Sequence, residues 1–298
     1  MSCGKQIEVQ NNLETELIKR FGKKKVESWK KEFQNATIQN DFVFCKTMQN
    51  TKLCAEVLRL FLQDSIKIKQ ITPQSTIDNF LKSKAVRLDV LVEDYEGNHY
   101  DLEMQVVTKD SIAKRMRMYQ ASIDVSTFEK GKNYKDAKKT IIIFICMSDP
   151  IAKGLPIYNF KNICEEDSSI ILDDGTKKII VAPQNWANVK NNDTLKALLK
   201  YLWDGSKTDK FTEALDMQVA EIKYDKVISN DSLSYYFKMC DAKEIGREEG
   251  MKKGMKKGRE KGRQEGKYET ARNMKAKNCE ISFIAEMTGL TYKEIEEL

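Results

Sequence analysis

The stretch Val86-Arg87-Leu88-Asp89-Val90-Leu91-Val92-Glu93, followed after Asp94-Tyr95-Glu96-Gly97-Asn98 by Tyr100-Asp101-Leu102-Glu103-Met104-Gln105-Val106-Val107, decides how the rest of the chain is read. Both runs alternate with period two, and the turn-forming cluster between them predicts a β-hairpin. In the first run Leu88, Val90 and Val92 share one face, and Arg87, Asp89, Leu91 and Glu93 the other. In the second, Leu102, Met104 and Val106 share a face, and Asp101, Glu103 and Gln105 the other. A hairpin centred near Glu96 sets Asp89 opposite Glu103, with Cβ atoms about 4.5–5.5 Å apart. Carboxylates that close repel unless one is protonated or a cation lies between them. Mg²⁺ suits such a pair, because it is commonly held by one or two carboxylates together with phosphate oxygens and water. Gln105 points to the same side. The plainer alternative is the polar face of a half-exposed hairpin, with both acids solvated.

Working outward, Asn40 and Asp41 open an amphipathic helical stripe of Phe42, Phe44, Met48, Leu53, Val57, Leu60 and Leu62. Ile66 to Ile71 reads as a short strand, with Pro73 in the loop after it. Ser111 to Phe128 reads as a helix. Thr140 to Met147 is apolar throughout and rich in β-branched residues, the pattern of a strand buried on both faces. Further short strands are expected at Ile157 to Ile163, Ile170 to Leu172 and Lys178 to Val181. Beyond Pro183 there is no proline, and the chain reads as helical. The resulting segments are a helical extension over 1–36, an α/β domain over 37–205 and a helical region over 206–242. A basic glycine-repeat helix or linker follows over 243–277, then a small helix-turn-helix-like module over 278–298.

Composition narrows the chemistry. The chain has 298 residues, seven dispersed cysteines without a CxxC pair, and one histidine, His99. Reduced thiols are expected, and clustered zinc ligands are not. A hydrolase of this composition would depend on carboxylates and a hard metal. The longest apolar run, Ile141 to Met147, is far too short for a bilayer span. No apolar signal region follows Met1, so a cytoplasmic protein with no membrane partner is expected. The net charge is +6. Residues 243–277 hold thirteen basic and six acidic residues, a local +7, whereas the remainder carries −1. A basic segment attracts phosphate by counterion release, although a solvated helix laced with opposite charges has the same composition.

Within that segment Gly246, Gly250, Gly254, Gly258, Gly262 and Gly266 recur at every fourth position. Each costs a helix about 1 kcal/mol relative to alanine. The spacing also keeps small residues near one face, so a homo-oligomer through this helix is expected, with a flexible linker as the alternative. Ala285 and Gly289 are spaced as in a helix-turn-helix. Glu294, Glu296 and Glu297 make the second helix acidic, which favours a packing or protein-contact module over a DNA reader.

Val86-Arg87-Leu88-Asp89-Val90, followed across the turn by Asp101-Leu102-Glu103-Met104-Gln105, resembles the core of PD-(D/E)XK nucleases. The closer likeness is to the nuclease family transposases, also called the Rpn family of recombination-promoting nucleases. Asn40-Asp41-Phe42-Val43-Phe44-Cys45-Lys46 is similar to that family's opening helix. Arg115, Tyr119 and Lys130-Gly131-Lys132-Asn133-Tyr134 are similar to its downstream helix and loop, and the glycine-repeat tail is familiar there too. The likeness spans roughly 37–270. It implies an α/β restriction-endonuclease-like core, a mixed central sheet flanked by helices, with an all-helical C-terminal region. It also implies Mg²⁺-dependent (or Mn²⁺-dependent) endonucleolytic cleavage of DNA. Carried over by position, Asp89 and Glu103 are the metal ligands and Asp41 an auxiliary carboxylate. Gln105 stands where the wider superfamily has lysine. Glutamine can orient water but brings no charge, which Lys84 or Arg87 would have to supply. Arg115 or Arg117 would hold a neighbouring phosphate, or make a helix-surface salt bridge instead. Tyr119 is expected to pack in the core, and His99 to be a solvated turn residue. The alternatives are a degenerate nuclease fold that binds DNA without cutting it, and an interaction scaffold organised by the glycine-repeat helix.

Overall fold

The computed structural model describes residues 14–77, 86–106 and 111–298. They fall into two compact units, Met1–Ser234 and Tyr235–Leu298. Among the described residues no helix is long and apolar enough to cross a membrane.

The first unit opens with helical residues 14–21 and helix α1 (Lys23–Gln34), whose Val26, Trp29 and Phe33 are buried. The Phe33 ring meets Phe42 edge-on at 5.9 Å, so the N-terminal extension is packed into the unit. The amphipathic stripe over 42–62 is divided between α2 (Asp41–Met48) and α3 (Thr51–Leu62). The interruption falls at Asn50, whose side chain accepts the Lys52 and Leu53 N–H groups and starts a new helix. Asn40 does the same for α2 through Phe42 and Val43.

A six-stranded sheet follows, in the order β1 (Ile68–Pro73), β4 (Val90–Asp94), β5 (His99–Gln105), β6 (Thr140–Cys146), β8 (Thr176–Val181), β7 (Ile157–Phe160). β5, β6 and β8 run parallel, and the remaining pairings are antiparallel, so the sheet is mixed. A two-stranded ribbon, β2 (Thr76–Ile77) with β3 (Val86–Arg87), stands apart. Pro73 is the last residue of β1 and pairs with Val90, rather than lying in a loop. β1 is an edge strand, where proline is tolerated because one side of the backbone has no ladder to complete. The expected strand at Ile170 to Leu172 is absent. Ile171 makes only an isolated bridge to Ile163, and all three residues are exposed, so no core face holds them extended.

The parallel β5–β6 step needs a crossover connection, which α4 (Ile112–Thr127) provides. Its Ile112, Met116 and Ile123 pack on Leu88, Ile142, Phe144, Cys146 and Ile180. Ile142 to Cys146 are wholly buried, as a strand covered on both faces requires. α2 packs against α6 (Lys210–Tyr224), and α3 against β1 and α5 (Asp193–Asp204).

The glycine repeat lies in one continuous helix, α7 (Lys226–Ala276). A Cβ added at any of the six repeat glycines would meet no described atom within 4 Å. Among the described residues, the close helix approach that the spacing suggests is therefore not made. In the second unit α8 (Ile281–Thr288) ends at Gly289 (φ +66°) and α9 (Tyr292–Glu296) begins with a Thr291–Glu294 capping box. Ile284, Leu290 and Ile295 enclose Ala271. Lys275 donates to the carbonyls of Ile295 and Glu296, both at 2.9 Å, and so caps the last helix.

Candidate active site

The first alternating run is not one strand. It breaks at Leu88–Asp89, between β3 and β4. Leu88 donates its N–H to Ser75 and packs in the cluster under α4, where Leu91 also rests; Val90, between them, is not part of that cluster. Leu88 and Val90 therefore do not share a face, because the break reverses the alternation. The β4–β5 ladder still has the register that the turn predicts, with Val90 beside Leu102 and Leu91 beside Asp101. One step further along, backbone pairing stops and side chains replace it. Asp89 N–H donates to Glu103 Oε1 at 2.7 Å, and Asp89 Oδ2 accepts Met104 N–H at 3.0 Å. The Asp89 carbonyl, turned the other way, accepts Gln74 N–H at 2.7 Å and the Cys45 thiol at 3.2 Å. Three distant segments thus hold the break open.

The acidic face is not solvated. Asp101 is 0% and Glu103 2% exposed. The burial follows from register, because Asp101 and Glu103 pair with Ile142 and Phe144 of β6, residues of the cluster that α4 covers. Burial, then the mutual repulsion of the acids, pushes the Asp101 and Glu103 carboxyls well above the ordinary range. Burial likewise moves Asp89 up to about 6, opposed by the Met104 N–H and reinforced by the charge of Asp41. Apart from the adjacent Glu103 carboxyl, neither Asp101 oxygen has a hydrogen-bond partner among the described residues. An unsatisfied buried acid costs free energy that a bound cation would relieve.

Arg115, on α4, reaches this cluster from above. It donates to Gln105 Oε1 at 2.5 Å and to the Tyr119 hydroxyl at 3.1 Å, and lies 5.3 Å from the Phe144 ring centroid. The Gln105 carboxamide is therefore fixed by a guanidinium from the crossover helix. Its Nε2 donates to the Met104 carbonyl at 3.1 Å. Arg87 on β3 and Arg115 both act on Asp89, lowering its proton affinity. Arg117 is exposed on α4 and is not brought into the cluster. Lys84 lies outside the described residues. Asp41, the first residue of α2, acts electrostatically on Asp89 and Cys45. Tyr119 packs edge-on against Phe144 with ring centroids 5.5 Å apart. His99 is a correction: it begins β5, its Nδ1 is buried without a partner among the described residues, and burial pushes its pKa down.

Two members of the cluster are missing from the set that the sequence proposes. Asp101 shares the alternation of Glu103 and Gln105, so period two alone could have found it. Cys45 could not be found that way, because its contact with Asp89 is tertiary; burial and three nearby carboxylates keep its thiol protonated.

Among the described residues, no three His, Cys, Asp or Glu side chains converge as a ready-made ion cage. The donor set still fits a hard divalent cation. It consists of carboxylate oxygens, two of them paired across neighbouring strands, with the unsatisfied Asp101 behind them. Mg²⁺ characteristically takes one or two protein carboxylates and completes its shell with water and substrate phosphate. No basic side chain forms a salt bridge with Asp89, Asp101 or Glu103 among the described residues; Arg115 acts on all three, and Arg87 on Asp89, through space only.

No curated protein and no solved structure matches this chain. One family model does, over residues 38–263, a span containing the whole sheet and every residue of the acidic cluster. The likeness read from Asp89, Glu103 and Gln105 is borne out at the level of the family, and the mixed sheet with flanking helices agrees with the fold that likeness implied. The chain belongs to the PD-(D/E)XK nuclease family transposases.

Proposed function

We propose that the protein is a divalent-metal-dependent DNA endonuclease of the transposase or recombination-promoting type, with Asp89 and Glu103 as metal ligands. The observation that carries this is the pair of bonds from Asp89 N–H to Glu103 and from Met104 N–H to Asp89. They hold two carboxylates side by side where a continuous ladder would have held only backbone.

Mg²⁺ or Mn²⁺, when bound, supplies Lewis acidity at the scissile phosphate and lowers the pKa of a coordinated water. The chain's own residues do the rest. Arg115 holds Gln105 so that its amide can orient water, and brings the positive charge that glutamine lacks. Arg87 adds positive charge beside Asp89; Lys84, the other cation proposed for this role, lies outside the described residues. Asp41 serves as an auxiliary carboxylate. Arg117 on the open side of α4 suits a flanking phosphate. The basic α7 adds sequence-independent attraction to DNA and a surface for self-association.

The test is nicking of supercoiled plasmid in Mg²⁺ or Mn²⁺. Arg115→Lys should lower the initial rate about 10²-fold, since a lysine cannot hold Gln105 and Tyr119 with one planar fork. An unchanged rate would remove Arg115 from the mechanism. A second reading, a fold that binds DNA without cutting it, is favoured by one residue, the uncharged Gln105. It predicts DNA binding without nicking in either metal.

A further inference from the structure

The acidic cluster lies toward the C-terminal end of β5. The opposite end of the parallel strands carries a different chemistry that the proposed mechanism does not use. α4 ends at Thr127, and a loop, Lys130-Gly131-Lys132-Asn133-Tyr134-Lys135-Asp136-Ala137-Lys138-Lys139, leads into β6. It holds five lysines and one acid. Tyr134 is 88% exposed, and its ring lies against Phe128, stacked with centroids 5.8 Å apart and planes 4° from parallel. The Tyr134 ring thus presents a flat surface to solvent. Together with Phe128, Val125 and His99 it lines a cavity of about 510 Å³.

A second cavity, of about 500 Å³, lies at the same end of the sheet and shares Asp174 and Thr176 with the first. It is lined by Lys139, Lys161 and Lys177. None of the three has an ion pair among the described residues. Lys177 is only partly exposed, and burial and the charge of Lys161 lower its proton affinity. Asp173 and Asp174 line the same cavity, but Asp174 is taken up by the Asn162 amide and the Thr176 hydroxyl, both at 2.7 Å; three lysines against the one remaining carboxylate favour an incoming anion.

A flat apolar platform beside a pocket in which lysines outnumber carboxylates matches the two halves of a nucleotide. We propose that this end of the sheet seats an unpaired nucleotide of the DNA strand, with its base stacked on Tyr134 and its phosphates at Lys139, Lys161 and Lys177. Base–aromatic stacking needs an unstacked base, so the seat takes single-stranded or flipped-out DNA and not an intact duplex. The acids of the aromatic cavity fit the same assignment. Glu129 is already paired with Lys132 at 3.1 Å, and Asp124 accepts the Thr140 hydroxyl at 2.6 Å. Asp136 stands on the base side, where an exocyclic amino group can donate to it. His99 and Glu103 are four residues apart on one strand, about 13 Å at 3.3 Å per residue. The seat is therefore roughly four base-pair rises from the acidic cluster, which makes the substrate DNA with an unpaired segment near the position cut.

This inference rests on the endonuclease reading, and the test separates the two. Fluorescence anisotropy in EDTA, with a labelled oligo(dC) 12-mer and a fully paired duplex of mixed sequence, measures binding without cleavage. Tyr134→Ala should lower affinity for the single strand about 5- to 150-fold, and Tyr134→Trp should restore it, while duplex affinity moves less than twofold. Lys161→Ala with Lys177→Ala should reduce the salt slope of single-strand binding by about 0.7 for each phosphate no longer neutralised. An equal fall in affinity for both DNAs, or an unchanged affinity for the single strand, would overturn the seat. A wild-type protein that nicks plasmid but is insensitive to Tyr134→Ala fails the seat alone. A wild-type protein that neither binds nor cuts any DNA fails the endonuclease reading, and the seat with it.

Discussion

Asp89→Asn and Glu103→Gln should each lower divalent-dependent plasmid nicking by at least about 10²–10³-fold while leaving the fold intact. Both changes are nearly isosteric. Asparagine keeps an oxygen for the Met104 N–H, and glutamine keeps one for the Asp89 N–H. What disappears is the charge of one ligand, at a place where transition-state stabilisation is worth several kcal/mol. The fold should not suffer, because each substitution removes a carboxyl whose ionised form burial disfavours. Nicking rates, measured with thermal unfolding in EDTA, check both halves. A variant that cuts at the wild-type rate would remove that residue from the metal site. A variant that fails to cut and also unfolds early would assign it a structural role only.

The second large effect belongs to Asp101. Its carboxyl is wholly buried, has no hydrogen-bond partner among the described residues other than the adjacent Glu103 carboxyl, and is shifted upward in the folded state. The sign of the linkage follows. Above the pKa of an unfolded aspartate, about 3.9, the unfolded chain gives up a proton that the native state still holds. Unfolding therefore becomes easier as pH rises. Asp89, raised to about 6, acts in the same direction over the lower part of that window. Metal-free wild type should lose stability between pH 5 and pH 8. Asp101→Asn should lose less, by on the order of 1–3 kcal/mol, or roughly 2–10 °C in Tm for a unit of this size. Mg²⁺ should flatten the wild-type profile. Thermal unfolding at both pH values, with and without EDTA, reads this directly. Parallel pH profiles for wild type and variant would show that Asp101 carries no buried-charge penalty.

What the sequence showed and what it hid divide along a physical line. The turn at Asp94 to Asn98 is local, and it set the pairing of Val90 with Leu102 without help from the rest of the chain. Thr140 to Cys146 is apolar throughout, so its burial on both faces could be read directly. The break at Leu88–Asp89 could not, because Gln74, Ser75 and Cys45 impose it from other segments. An alternating pattern cannot record a reversal of its own phase. The burial of Asp101 and Glu103 was hidden for a similar reason. A polar face reads as solvent-facing until a crossover helix is known to lie on it, and that helix brings Arg115, a cation no local pattern assigns to Gln105. Asn50 is hard to see because the apolar stripe continues across it, although its side chain is a sound N-cap. The basic tail kept its glycine register as a helix, but a helical stripe shows neither what covers it nor whether anything does.

On the proposed mechanism Asp89 and Glu103 share one divalent ion. Mn²⁺ titration of the full chain, followed by the decrease of the free-ion electron paramagnetic resonance signal, tests it without relying on catalysis. Wild type should bind Mn²⁺ in competition with Mg²⁺, and both Asp89→Asn and Glu103→Gln should weaken that binding at least tenfold. Unchanged Mn²⁺ binding in either variant would contradict the shared site.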